Sequence, residues 1–261
     1  MRHFFPKTII FCLCNILLTG PLLVYGGTES TPNPALSSRL LQLFLEVKGE
    51  VPSDKIAEYQ SELSDFIALL QRKQARYKSE EKFLSYLFYK VHHRYLKRYQ
   101  DHTTLYELLE SGRYDCVTGT ALYALLLDAL QINYQVQELP YHVYLNVFLT
   151  NGDTALIEST DPQYGFVTQP SDRQERLAQY ATSLAADPNT DAYQYDFTIQ
   201  ESIGLTELAG LSYFNEAVAY YNEQQFQQAI LLLRQADHLY TSRRMDAFRS
   251  LVEGVVYTPK K

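Results

Sequence analysis

The stretch Gly112-Arg113-Tyr114-Asp115-Cys116-Val117-Thr118-Gly119-Thr120, continued by Ala121-Leu122-Tyr123-Ala124-Leu125-Leu126-Leu127-Asp128-Ala129-Leu130, decides how this chain is read. Its first part is loop-like, with Gly112 and Asp115 as turn and cap residues. Its second part is apolar on nearly every side, and a helix without a polar face is a buried helix. Cys116 therefore opens a helix that runs through the middle of a domain. There it meets unsatisfied N–H groups and the positive end of the helix dipole, which favour a thiolate. Asp115 works against that, because a neighbouring carboxylate disfavours a second negative charge. A thiol activated in this way would react well below the ~8.5 of a free cysteine. The plainer alternative is a small residue filling a core gap, a common fate for an unpaired cysteine.

After this helix the pattern changes from helical to alternating. Asn133–Leu139, Tyr141–Leu149 and Thr154–Glu158 read as three strands, with Pro140 between the first two and Asn151-Gly152 as a hairpin signal before the third. A meander after a buried helix is an α+β pattern. It brings together the order of groups that thiol catalysis needs: Cys116, then His142 at the head of a strand, then an acid at the end of the return strand. The imidazole takes the thiol proton, and the carboxylate fixes its tautomer and stabilises its cation. Two acids qualify. A two-residue turn at Asn151-Gly152 pairs His142 with Asp161. One more loop residue puts Glu158 on the histidine's face instead. Periodicity leaves the choice open.

Three runs carry a resemblance. Tyr114-Asp115-Cys116-Val117-Thr118-Gly119-Thr120, Tyr141-His142-Val143-Tyr144-Leu145-Asn146-Val147 and Leu156-Ile157-Glu158-Ser159-Thr160-Asp161-Pro162 look like the transglutaminase-like superfamily of papain-type folds, in particular its bacterial branch. The resemblance covers roughly residues 112 to 166. It implies a papain/transglutaminase-like core with Cys116 as nucleophile and His142 as base. Glu158, followed two residues later by Thr160, matches the family's acid; the Asp161-Pro162 pair echoes a variant and keeps Asp161 as the alternative. The implied activity is cysteine acyl transfer, by hydrolysis or transamidation, on an amide or ester of a peptide or protein substrate, without metal or cofactor. The family often places Trp near the His or the acid, and this chain has no Trp. The N–H of Cys116 is the natural oxyanion donor, and the sequence names no second one. The other reading is an inactive fold of this kind serving as a structural or protein-interaction module.

The N-terminus resembles an export signal. Arg2 and Lys7 precede an apolar run from Thr8 to Val24, with a plausible cut near Gly26. The alternative is an uncleaved membrane anchor over residues 8–25. Of the three cysteines, Cys12 and Cys14 would leave with the signal, so a mature exported chain keeps Cys116 alone. An unpaired thiol is unusual in an oxidising compartment, which raises the weight of a reactive role. A net charge of −7 and the absence of a basic stripe give no sign of a nucleic-acid partner.

The remaining chain divides into a linker (27–38), an all-helical region (39–110), the core (111–172), a polar connector (173–203) and a helical hairpin with a tail (204–261). The His92-His93 pair, among Lys90, Arg94, Lys97 and Arg98, reads as part of a solvated basic helix face. In the hairpin, Ala217, Tyr220, Phe226, Ala229 and Ala236 fall at tetratricopeptide-like spacings. One such repeat cannot bury its own face. It is expected to pack on the core or the N-terminal helices, with a partner groove as the lesser possibility.

Overall fold

The computed structural model describes residues 36–186 and 201–257, all within one compact unit. The predicted signal or anchor, with Cys12 and Cys14, lies outside the described residues. Among those described, no helix is long and apolar enough to cross a membrane.

The fold is α+β. The order is α1 (Ser38–Leu45), α2 (Ser53–Gln74), α3 (Glu80–Arg94), β1 (Arg98–Tyr99), α4 (Leu105–Ser111), β2 (Arg113–Tyr114), α5 (Cys116–Ala129), β3 (Tyr134–Leu139), β4 (His142–Phe148), β5 (Thr154–Ile157), β6 (Phe166–Val167), α6 (Pro170–Ala186), β7 (Glu201–Ile203), α7 (Leu205–Asn222), α8 (Phe226–Leu239) and α9 (Arg243–Tyr257). The antiparallel sheet runs β6-β5-β4-β3-β7.

Helix α5 is the centre of the molecule, as its apolar sequence demands. Every residue from Val117 to Leu127 is buried. It packs between the sheet and α7. Each large side chain taken from water here contributes about 1.5–3 kcal/mol. Asp115 starts the helix with a capping box: its Oδ1 accepts from the N–H of Thr118 at 2.8 Å, and Thr118 Oγ1 accepts from the N–H of Asp115 at 2.9 Å. The strand β1 pairs in parallel with β2 and fixes the approach to Cys116.

Alternation along the strands splits the sheet into two faces. Val143, Leu145, Val147, Ala155 and Ile157 join the main core with α5. Tyr144, Leu156, Leu139 and Val167 form a second cluster, covered by Leu177 and Tyr180 of α6. The described parts of the stretch expected to be a polar connector are therefore structured. Residues 170–186 form a helix, and residues 201–203 add an edge strand to β3. Pro170 stands at the helix's first turn, where its fixed φ and missing N–H suit it. The expected hairpin is α7–α8, and the expected tail is a further helix, α9, packed on α8. Helix α7 lies against α5 and α1, so the hairpin is part of the same body. The N-terminal region is helical apart from β1.

One expectation is overturned outright. His92 does not sit on a solvated face; it is only 7% exposed, whereas His93 is open to solvent. Its ring lies 4.6 Å from that of Phe88 and near Tyr114 and Tyr123, and neither ring nitrogen has a hydrogen-bond partner. The helix turns this position inward with Phe88 and Val91, and packing overrides the basic neighbours. Burial pulls the His92 pKa down to about 4, against the weaker pull of Asp161 and Glu158.

That shift makes the fold acid-sensitive. The unfolded chain protonates His92 near 6.5, while the folded chain resists until about 4. Stability contributed by a neutral His92 is thus whole above ~6.5 and is lost as pH falls toward 4, at up to about 1.4 kcal/mol per pH unit. Thermal unfolding of His92→Phe should show a shallower fall in Tm between about pH 6.5 and pH 5 than the wild type; parallel curves would contradict this.

Candidate active site

Cys116 is the first residue of α5 and the free cysteine of the described residues, half-buried at the edge of a cleft. Its N–H donates to no acceptor among the described residues. The cleft holds about 70 Å³ and is lined by Cys116, Val117, Leu139, Pro140, Tyr141, His142, Val143, Leu211, Asn215 and Arg244.

His142 begins β4. Its Nε2 bonds Glu158 Oε2, and its ring packs 5.1 Å from the ring of Tyr180. With Nε2–H given to the carboxylate, Nδ1 is the nitrogen left to take a proton. Phe148 pairs with Thr154 and the N–H of Leu149 donates to the carbonyl of Asp153 at 2.9 Å, which leaves a three-residue loop, Thr150 to Gly152, with Gly152 at a φ of 91° that glycine adopts freely. Carried back along the strands, that register sets Glu158 on the face of His142. This resolves the choice between acids that the sequence left open. Asp161 goes elsewhere: it binds Arg176 at 2.7 Å and accepts the N–H groups of Gln163 and Tyr164.

Glu158 is 2% exposed, and its carboxylate is fully engaged. Oε2 accepts from His142 and from Tyr180 Oη at 2.5 Å; Oε1 accepts the N–H and Oγ1 of Thr160 at 2.9 and 2.6 Å. Burial alone would push its pKa up. The hydrogen bond and charge of His142, aided by Thr160 and Tyr180, outweigh burial and hold it below the ordinary carboxylate range. Sequence reasoning found Thr160 but missed Tyr180, which lies in the stretch read as a connector.

The sulfur and the imidazole line one cleft without a hydrogen bond between them. Such bonds are often long in unliganded sites and tighten with substrate. Burial pushes the Cys116 thiol well above its usual range, and the negative charges of Asp115 and Glu158 add to this. Backbone N–H groups of Val143 and Val117 pull the other way and lose. The N–H of Val143 is available because β5 ends at Ile157, so nothing pairs with this end of β4 on that side. The expectation of a thiolate favoured by the helix end is therefore reversed: the resting group is a neutral thiol.

Arg244 completes one wall of the cleft, and Gly165 holds the turn below Glu158. Arg244 of α9 donates to the carbonyl of Pro140 and pairs with Glu138, which is fully buried and also accepts from Tyr240 Oη at 2.6 Å. Its guanidinium lies 5.0 Å from the ring of Phe214. This cluster pins the turn that leads into His142. Gly165 is demanded by the opposite end. A Cβ there would collide with the carbonyl oxygens of Glu158 and Asp161.

No residues among those described are grouped to hold a metal ion. No family model, curated protein or solved structure matches the chain.

The Gly165 contact gives a stability test. Gly165→Ala should lose about 1–3 kcal/mol in thermal or urea unfolding, through forced displacement of the turn below Glu158. Wild-type stability in that variant would show that the turn yields without strain.

Proposed function

We propose that this chain is an exported, transglutaminase-like cysteine enzyme that transfers or hydrolyses the acyl group of a peptide or protein amide or ester. The observation that carries the reading is the buried carboxylate of Glu158 bonded to Nε2 of His142, in a ring that lines the same cleft as the free thiol Cys116. A papain-like arrangement of the core accords with a thiol at the head of the central helix beside an antiparallel meander. Export accords with the signal-like N-terminus and a lone cysteine in the mature chain.

The mechanism follows from the electrostatics. A thiol that burial keeps protonated needs general-base assistance during attack. Nδ1 of His142 takes the Sγ proton as sulfur adds to the carbonyl carbon. Glu158 stabilises the imidazolium that forms, as the carboxylate of a catalytic triad does. The imidazolium then protonates the departing amine or alkoxide, leaving a thioester on Cys116. Water or an amine, deprotonated by His142, resolves it.

The second reading is a fold that keeps this architecture without turnover. It is favoured by the raised thiol and by the missing Cys116–His142 hydrogen bond. Two assays separate them. With a p-nitrophenyl ester, mass spectrometry should show acylation at Cys116 that is abolished in Cys116→Ala and about 10²–10⁴-fold slower in His142→Ala. Iodoacetamide alkylation of Cys116 should keep climbing from about pH 6 to pH 9, where a preformed thiolate would level off. A thiol inert to both reagents until unfolding would favour the silent module.

A further inference from the structure

Acyl transfer through Cys116 puts a negative charge on the former carbonyl oxygen, and that charge needs donors already in place. The N–H of Cys116 is unclaimed and sits at the positive end of α5. A single donor is a thin provision.

We infer that the side-chain amide of Asn215 is the second oxyanion donor, contributed to the active site by the C-terminal helices rather than by the core. This deepens the proposed acyl-transfer function and rests on it. Four observations point there. Asn215 lines the cleft with Cys116 and His142. Leu211, one turn earlier on the same face of α7, lines it too. From Leu205 to Ala217 this helix is buried among apolar neighbours at most positions, yet Asn215 is half-buried and its amide makes no hydrogen bond with the described residues. Its Nδ2–H is therefore left for a group bound in the cleft. Finally, a chain of contacts ties α7 to the nucleophile. The carbonyl of Asn215 meets His102 Nδ1 at 3.1 Å; the next residue but one along from Asp101, Thr103, donates its N–H to Asp115 Oδ2 at 3.2 Å; and Asp115 caps the helix that Cys116 opens.

In the step concerned, the C–S bond forms and the carbonyl π pair moves onto oxygen. The Sγ proton goes to His142 Nδ1. The Asn215 Nδ2–H and the Cys116 N–H donate to that oxygen. Collapse restores the C=O bond and expels the leaving group, which takes the proton from His142.

The test uses a reaction pair. Attack on a p-nitrophenyl ester develops an oxyanion, while displacement of iodide from iodoacetamide does not. In Asn215→Ala, acylation of Cys116 should fall about 10²–10³-fold, with alkylation within about twofold of wild type. Asn215→Leu keeps the volume without adding a charge, loses the donor and should show the same split; it decides the matter if Asn215→Ala does not fold. Acylation within about threefold of wild type in either folded variant, or a parallel loss in both reactions, overturns the assignment of Asn215 and leaves the enzyme reading intact. Absence of any acyl-Cys116 in the wild type overturns both.

Discussion

A carboxylate that is almost wholly out of water has to be matched by donors, or the fold would do better to protonate or expose it. Glu158 is matched on both oxygens. His142 comes from the neighbouring strand, Tyr180 from the covering helix, and Thr160 from the turn beyond the strand. Each donor belongs to a different element, so the carboxylate joins β4, the end of β5 and α6 at one point. The same set of bonds orients the imidazole and decides which of its nitrogens faces the cleft. The interaction that keeps the sheet's end in order is thus the one that orients the imidazole proposed as the base.

The nucleophile's side of the cleft is governed by an opposite choice. Asp115 buys a strong helix start with its capping box, and its buried carboxylate also receives the N–H of Thr103. That charge lies beside Cys116 and, after burial, is the next force keeping the thiol protonated. The helix end and the two backbone N–H groups do not overcome it. In the proposed reaction, proton transfer to His142 accompanies attack instead of preceding it. A thiol kept neutral is also less prone to oxidation, since the thiolate is the reactive form.

Much of this was legible in the chain. The unbroken apolar run after Cys116 required a buried helix, and the alternation beyond it required a meander. The acid was not settled, because the hairpin length depends on a distant residue. Glu80 of α3 accepts both the N–H and the hydroxyl of Thr150, at 2.7 and 2.8 Å, and draws that residue out of the ladder into the loop. No local rule sees this. Helix α6 was obscured because only Leu177 and Tyr180 of its described face meet the sheet's second cluster, too few to mark a periodic stripe. His92 was misread because its basic neighbours hid an inward-facing position. The roles of Asn215 and Arg244 at the cleft were beyond reach, since both come from helices about a hundred residues further along the chain.

The central claim is that His142 and Glu158 act on Cys116 as one unit. A double-mutant cycle on the rate of Cys116 acylation tests it directly, using His142→Ala, Glu158→Ala and the two combined. If the account holds, the double variant acylates no more slowly than the slower single variant, because removing either member already disables the pair. Losses that multiply would show that the two act independently, and a Glu158→Ala variant as fast as wild type that the buried carboxylate takes no part in the chemistry.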